Sequence, residues 1–193
     1  MINHIFTTPI YKTNVILEES NRLNYIDKAE SLLKTLPQNK NWRCDTFTTL
    51  DKYDMINDPL FKDVINEIKS HVIKFSKEFG CGSDDVSILD SWINVARPGD
   101  YQEYHIHTGS HFSIAYYLQS QQDSGNIVFR SHEADTDMFP LPIRDLTPLS
   151  YKTMSFEPQN GMLLIFRSNL RHMVEKNLSD NNRISISMNL NVK

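Results

Sequence analysis

Tyr101-Gln-Glu-Tyr-His105-Ile-His107-Thr-Gly-Ser-His111-Phe-Ser-Ile-Ala-Tyr-Tyr-Leu118 is the stretch on which the reading of the chain turns. On an extended backbone residues i and i+2 share a face, which sets His105 and His107 side by side about 7 Å apart at Cα, within reach of one metal ion. Thr108 to Ser110 reads as a turn. Beyond it His111, Ser113, Ala115 and Tyr117 share one face of a second strand, and Phe112, Ile114, Tyr116 and Leu118 form the apolar other face. Such a strand suits a cavity wall.

The same alternation returns in Arg183-Ile-Ser-Ile-Ser-Met-Asn-Leu-Asn-Val192. Arg183, Ser185, Ser187, Asn189 and Asn191 share one face, and Ile184, Ile186, Met188, Leu190 and Val192 the other. By pattern alone, the favoured reading is a sheet with its polar face in water. If that face looks into a barrel instead, Arg183 is a buried cation that needs an anion. A guanidinium fork matches a carboxylate through two parallel hydrogen bonds, and Ser185 could add a third.

Outward from these strands the chain divides near Asp85. Before it, Met1 to Asn14 carries an apolar segment at Ile5 and Phe6 and an edge strand at Thr-Thr-Pro9-Ile-Tyr, because Pro9 cannot donate to a ladder. Ser20 to Leu36 is an amphipathic helix with Leu23, Ile26, Ala29, Leu33 and Leu36 as its stripe, Ser20 as cap and Pro37 as stop. A polar connection carries Trp42 and Cys44. Pro59 to Phe79 is a second helix, capped by Asp58 and ended by Gly80 or Gly82. After Asp85 the period stays extended, with strands at residues 86–96, 103–107, 111–119, 126–130, 151–156, 162–166, 172–175 and 183–192. Two helices followed by eight strands predict an α+β fold, an antiparallel barrel or jelly roll buttressed by helices. Ser131 to Ser150, with Pro140, Pro142 and Pro148 and no period, is expected to be a long loop bordering the site.

At 193 residues the chain fits one globular domain, with residues 1–85 as strand and helical buttress and 86–193 as core. A net charge of −4 gives no footprint for nucleic acid. Cys44 and Cys81 lack C-x-x-C spacing, and no apolar run is long enough to span a bilayer. The expectation is a soluble, cytoplasmic protein with free thiols. Ile5 to Tyr11, as an exposed edge, could pair across a homodimer.

His172 follows the apolar run Gly161-Met-Leu-Leu-Ile-Phe166 and the turn Arg167-Ser-Asn169. A third imidazole there could complete a metal site. Two nearby ligands plus a distant histidine is how non-heme Fe(II) centres are built, with His-x-Asp or His-x-Glu as the usual pair. Here the carboxylate position reads His107. Glu103, Asp135 and Asp137 are alternative carboxylate ligands. Asn94 could reach a bound cosubstrate or satisfy sheet backbone, and His111 could contact substrate. His132 is expected in solvent, and Trp92 and Phe129 in the core.

Taken in order, Pro98-Gly99, Tyr104-His-Ile-His107, Ile114-Ala-Tyr-Tyr-Leu118, Gly125-Asn-Ile-Val-Phe129, Gly161 to Phe166, His172 and Arg183-Ile-Ser185 resemble the 2-oxoglutarate/Fe(II)-dependent oxygenase superfamily. The likeness is to its prolyl-hydroxylase-like branch. The opening Ile5-Phe6-Thr-Thr-Pro-Ile-Tyr11 is similar to the start of an uncharacterised bacterial and phage group within it. The resemblance implies a cupin-like double-stranded β-helix. It makes His105 the first iron ligand, His172 the distal one and His107 the departure from the usual carboxylate. Arg183 and Ser185 would hold the distal carboxylate of 2-oxoglutarate, helped by Tyr117, with Asn94 and Ser113 also on the cosubstrate side. The implied reaction consumes O₂ and 2-oxoglutarate, releases succinate and CO₂, and hydroxylates an unidentified protein, peptide or small molecule, with ascorbate a candidate reductant. Two rivals remain. One is a three-histidine dioxygenase that needs no 2-oxoglutarate, and the other is a jelly-roll binding module without catalysis.

Overall fold

The computed structural model describes residues 5–38 and 44–193. The start of the chain at Met1 and Trp42 lie outside the described residues. Strand β1 (Tyr11–Asn14), helix α1 (Glu19–Thr35) and strand β2 (Phe47–Thr48) are followed by a 3₁₀ turn (Pro59–Phe61) that runs into helix α2 (Lys62–Lys77). Then come β3 (Val86–Ala96), β4 (Gln102–His105), β5 (Phe112–Gln119), β6 (Ile127–Arg130), β7 (Thr153–Phe156), β8 (Met162–Arg167), β9 (His172–Val174) and β10 (Arg183–Val192). Both α-helices precede Asp85 and eight of the ten strands follow it, while β1 and β2 lie among the helices.

Local chemistry explains most element ends. Asp58 accepts a hydrogen bond from the Leu60 N–H at 2.9 Å, with Pro59 in the first turn, and Gly80 takes the left-handed conformation (φ +79°) just past α2. Two expectations need correction in α1. Ser20 lies inside the first turn and Glu18 stands at the cap. Leu23 faces solvent, and Tyr25, Ile26 and Ala29 form the buried stripe, because Arg22 Nη1 reaches the Leu118 carbonyl at 2.9 Å and turns that face inward. The edge strand also sits later than Pro9 implied, pairing from Tyr11 opposite Ile165.

All strand pairs are antiparallel. One sheet has six strands in the order β1-β8-β5-β10-β3-β2, and the other has four in the order β4-β9-β6-β7. Ile184, Ile186, Met188 and Leu190 of β10, with Phe112, Ile114 and Tyr116 of β5, pack against Tyr25 and Ile26 of α1 and Val64, Ile68 and Val72 of α2. The opposite face of the large sheet meets the small one, where Ala115, Tyr117, Leu164 and Phe166 touch Ile127 and Phe129. The polar face of β10 is thus enclosed between two sheets. Arg183, Ser185 and Asn189 are buried, which overturns the pattern-based reading of a face in water.

The segment between β6 and β7 is the long loop expected from its prolines, opening with a 3₁₀ turn at His132–Asp135. Met138, Phe139, Leu141, Leu146 and Leu149 on it are all exposed. Cys44 and Cys81 are free thiols, and no described helix is long and apolar enough to cross a membrane.

Ile186 is fully buried between the sheet and the helices. Ile186→Ala is expected to lower unfolding free energy by ~2–5 kcal/mol through lost burial and a residual cavity. Urea denaturation monitored by circular dichroism measures it, and a loss under ~1 kcal/mol would mean that the helices do not seal this face.

Candidate active site

Strand register assembles the histidines. His105 and His172 are cross-strand partners on β4 and β9, and Phe129 of β6 flanks His172 on its other side. Directly opposed side chains in an antiparallel pair are close neighbours, so two imidazoles far apart in sequence converge without any loop. Their ring centroids are 4.2 Å apart. His107 lies beyond the end of β4, where its N–H donates to the Ser168 carbonyl at 2.9 Å. One ligand nitrogen from each of the three histidines lies within 4.8 Å of the other two. A single ion could be held there.

Two of the imidazoles are oriented by backbone. His105 Nδ1 lies 2.7 Å from the Glu103 carbonyl, and His172 Nδ1 lies 2.9 Å from the Leu170 carbonyl. A carbonyl only accepts, so Nδ1 carries the proton and Nε2 keeps its lone pair for a metal. Phe129 and Phe166 wall His172 in, with ring centroids 5.9 and 4.7 Å away. Burial lowers the basicity of all three imidazoles. His172 is held well below its ordinary value, and His107 is brought to about 4 by burial and then by His105, against an opposing pull from Asp90. At neutral pH the three are uncharged, the form of imidazole that ligates a metal.

Opposite the histidines, the polar face of the large sheet forms a floor of cross-strand rows. Tyr117, Ser185 and Asn94 make one row, Ala115, Ser187 and Trp92 the next, and Ser113, Asn189 and Asp90 the third, with Arg183 opposite Ala96 at the far end. His105, His107, His172, Tyr117, Arg183 and Ser185 line one cavity of about 70 Å³. Arg183 is 5% exposed. Its Nη1 donates to the carbonyls of Ser124 and Gly125, and among the described residues Nε and Nη2 have no partner and no carboxylate forms an ion pair with it. Burial lowers its pKa, partly offset by Tyr117 and Asp100. The Tyr117 hydroxyl, pushed up to about 12 by burial and hence a donor, has no protein partner among the described residues either.

Other sequence-selected residues fall elsewhere. Asn94 lines the cavity and donates to Ser187 Oγ at 3.1 Å. Ser113 is buried in a network with Ser168 and Asn189, off the cavity wall. His111 is exposed and its Nδ1 accepts from the Val192 N–H at 3.1 Å, so it does not join the ligand face. No carboxylate belongs to the triad among the described residues. Asp137 pairs with Lys152, and Glu103 is exposed and lends only its carbonyl, while the side chain of Asp135 lies outside the described residues. His132 is exposed and Phe129 buried, as expected. Trp92 is both core and wall. Sequence reasoning missed Asp90, although it stands on the face of β3 already marked by Asn94, four residues away.

Two outcomes follow from this geometry. A Cβ on Gly125 (φ +91°) would meet the Glu175 carbonyl oxygen at 2.3 Å and Arg183 Nη1 at 2.8 Å, so Gly125→Ala should cost more than ~1 kcal/mol. An unchanged denaturation midpoint would contradict this. The second concerns pH. The unfolded chain protonates these histidines near their ordinary value of 6.5, while the folded one resists, with His107 holding out to about 4. Metal-free protein should therefore lose stability as pH falls from 7 to 5, and His107→Ala should flatten the slope in melting temperature. A slope unchanged by the substitution would show that other groups set it.

The family described as "Putative 2OG-Fe(II) oxygenase" matches residues 90–189, a little over half of the chain. Prolyl-4-hydroxylase of Pseudomonas putida superposes with a TM-score of 0.68 at 12% identity, covering 97% of this chain and 94% of that one. The viral collagen prolyl hydroxylase of Paramecium Bursaria Chlorella virus-1, solved with 2OG, gives 0.60 at 14% identity and 94% coverage of both chains. The epimerase SnoN, in complex with Fe3+, alpha ketoglutarate and nogalamycin RO, gives 0.68 at 10% identity, covering 96% and 79%. At such identities the likeness is one of fold. A curated uroporphyrinogen decarboxylase of Picrophilus torridus is 30% identical over 100 residues, which make up 51% of this chain and 30% of that protein, so the chain spans under a third of that relative's length. The family match takes in His105, His107, His172, Arg183 and the floor beneath them, and by it the chain belongs to the 2OG-Fe(II) oxygenases, dioxygenases that use iron and 2-oxoglutarate.

Proposed function

We propose that this protein hydroxylates a C–H bond of a second substrate, with O₂ and 2-oxoglutarate consumed and succinate, CO₂ and the alcohol formed. One oxygen atom of O₂ enters succinate and the other the product. Residues 1–193 would act as one domain, a double-stranded β-helix in which the two sheets are the walls and residues 1–85 the buttress. The observation that carries the reading is the buried Arg183, with Nε and Nη2 unpartnered among the described residues, in the same cavity as three convergent imidazoles.

His105, His107 and His172 would hold Fe(II) through nitrogen. Bound iron supplies the O₂ chemistry that no side chain here provides. Arg183 binds the distal carboxylate of 2-oxoglutarate as a fork, with the Ser185 and Tyr117 hydroxyls beside it. Asn94, fixed against Ser187, borders the same space. Phe129 and Phe166 exclude water from the side of His172. The long loop leaves the small sheet one strand residue past Phe129, the cross-strand neighbour of His172, and among the described residues none of 131–150 lines the cavity. A protein or peptide side chain as substrate is supported by the two prolyl hydroxylases among the fold neighbours.

His107 favours one rival, a three-histidine dioxygenase that binds substrate on the metal without 2-oxoglutarate. A thermal melt with Mn(II), followed by succinate assay with Fe(II), separates the two. The expected result is stabilisation by metal, a further rise with 2-oxoglutarate, loss of the first in His172→Ala and loss of only the second in Arg183→Ala. If Arg183→Ala still responds fully to 2-oxoglutarate the rival stands, and absence of succinate at high enzyme removes the proposed reaction.

A further inference from the structure

His107 is the one member of the triad that the strand ladder does not hold. β4 ends at His105, and His105 and His172 are fixed by cross-strand pairing and by the carbonyls that orient their rings. His107 has neither support among the described residues. Its place is set through the main chain, where its N–H donates to the Ser168 carbonyl at 2.9 Å and the Ser168 N–H donates to the His111 carbonyl at 3.3 Å. Ser168 sits in the turn from β8 to β9, which the Leu170 N–H closes on the Arg167 carbonyl at 2.9 Å. The turn that offers the Leu170 carbonyl to His172 therefore also carries the anchor of His107.

Ser168 is itself pinned by its side chain. It is 1% exposed, and its Oγ lies 2.8 Å from Ser110 Oγ and 2.9 Å from Ser113 Oγ. Ser113 Oγ lies 2.8 Å from Asn189 Oδ1, and Asn189 Nδ2 donates to Asp90 Oδ2 at 3.2 Å. Ser113 and Asn189 are buried as well. The direction of this chain is forced. A carboxylate only accepts, so the Asn189 amide turns its nitrogen to Asp90 and its oxygen to Ser113. That oxygen takes the single Ser113 proton, hence Ser168 donates to Ser113 and Ser110 donates to Ser168. Every hydroxyl proton is used, and all four bonds run one way, from Ser110 to Asp90. Hydrogen bonds aligned in this manner polarise and strengthen one another.

We propose that Ser168 is the positioning residue of the metal centre, and that the chain from Ser110 to Asp90 fixes it so that His107 stays within reach of an ion held by His105 and His172. The inference rests on the proposed function in one respect, that the three histidines are metal ligands. Without its hydroxyl, residue 168 leaves Ser110 no acceptor and Ser113 no donor, and the turn is free to shift. The shift moves the carbonyl that holds His107. His172 stays in place, because its pairing with His105 on one side and Phe129 on the other does not pass through Ser168.

The test is a double-mutant cycle on Co(II) affinity, read on the intact chain by competition with a chromophoric chelator. Wild type, Ser168→Ala, His107→Ala and the double variant are compared. Ser168→Ala should weaken Co(II) binding by about tenfold or more, the scale seen when partners of metal ligands are removed. In the His107→Ala background the same change should shift affinity by less than about twofold, because the residue it positions is gone. A role confined to stability would lower affinity equally in both backgrounds. Should Ser168→Ala not fold, Ser110→Ala at the half-buried outer end of the chain repeats the cycle. There a loss of about threefold or more is expected with His107 present, and none without it. Equal losses in both backgrounds, or no loss in either, overturn the inference and spare the proposed function. Failure of wild type to bind Co(II) removes both, and Co(II) binding without a further response to 2-oxoglutarate removes the proposed reaction alone.

Discussion

Removing a guanidinium from water costs several kcal/mol unless its donors are met, and the interior of this protein meets only some of those of Arg183. The carbonyls of Ser124 and Gly125 take Nη1, and the rest of the fork faces open space. Much else follows from accommodating that charge. Gly125 lacks a side chain because the Glu175 carbonyl and Arg183 crowd it. β10 carries polar residues on one face because β4, β6, β7 and β9 roof it, and apolar ones on the other because the helices do. A cationic hole lined by hydroxyls is a poor place for hydrocarbon and a good one for a dicarboxylate.

At the other end of the floor the histidines bring no charge of their own. Three imidazoles are neutral donors, so an ion held by them keeps its full charge, whereas a carboxylate ligand would offset one unit. A more positive centre holds Fe(II) better relative to Fe(III) than the usual set does. Asp90 stands outside the triad, but its field already acts on His107.

Much of this was legible in sequence because strand alternation and cap chemistry are local. β3 and β10 fall where the period puts them, and Asp58 caps the 3₁₀ turn that runs into the second helix. The histidine pair was visible for the same reason, although His107 reaches the site from beyond the strand end, held by Ser168, rather than by sharing the face of β4. What lay hidden needed partners. Whether the polar face of β10 met water or a second sheet depended on how the small sheet stacks, and no period encodes that. His111 fits the alternation of β5 yet is drawn aside by Val192, and Asp90 gained meaning only once β10 set Asn189 beside it.

The position of β10 in the large sheet also bears on how the protein is made. It pairs with both β3 and β5, yet it is the last of the described strands to be translated. While it is still inside the ribosome, β3 and β5 have nothing between them, and each keeps a bare hydrogen-bonding edge beside an apolar face. Those edges are open to wrong partners, a hazard for a nascent chain with so many distant contacts. Arg183 is the first residue of that strand, so the cavity it lines is incomplete until β10 takes its place between β3 and β5.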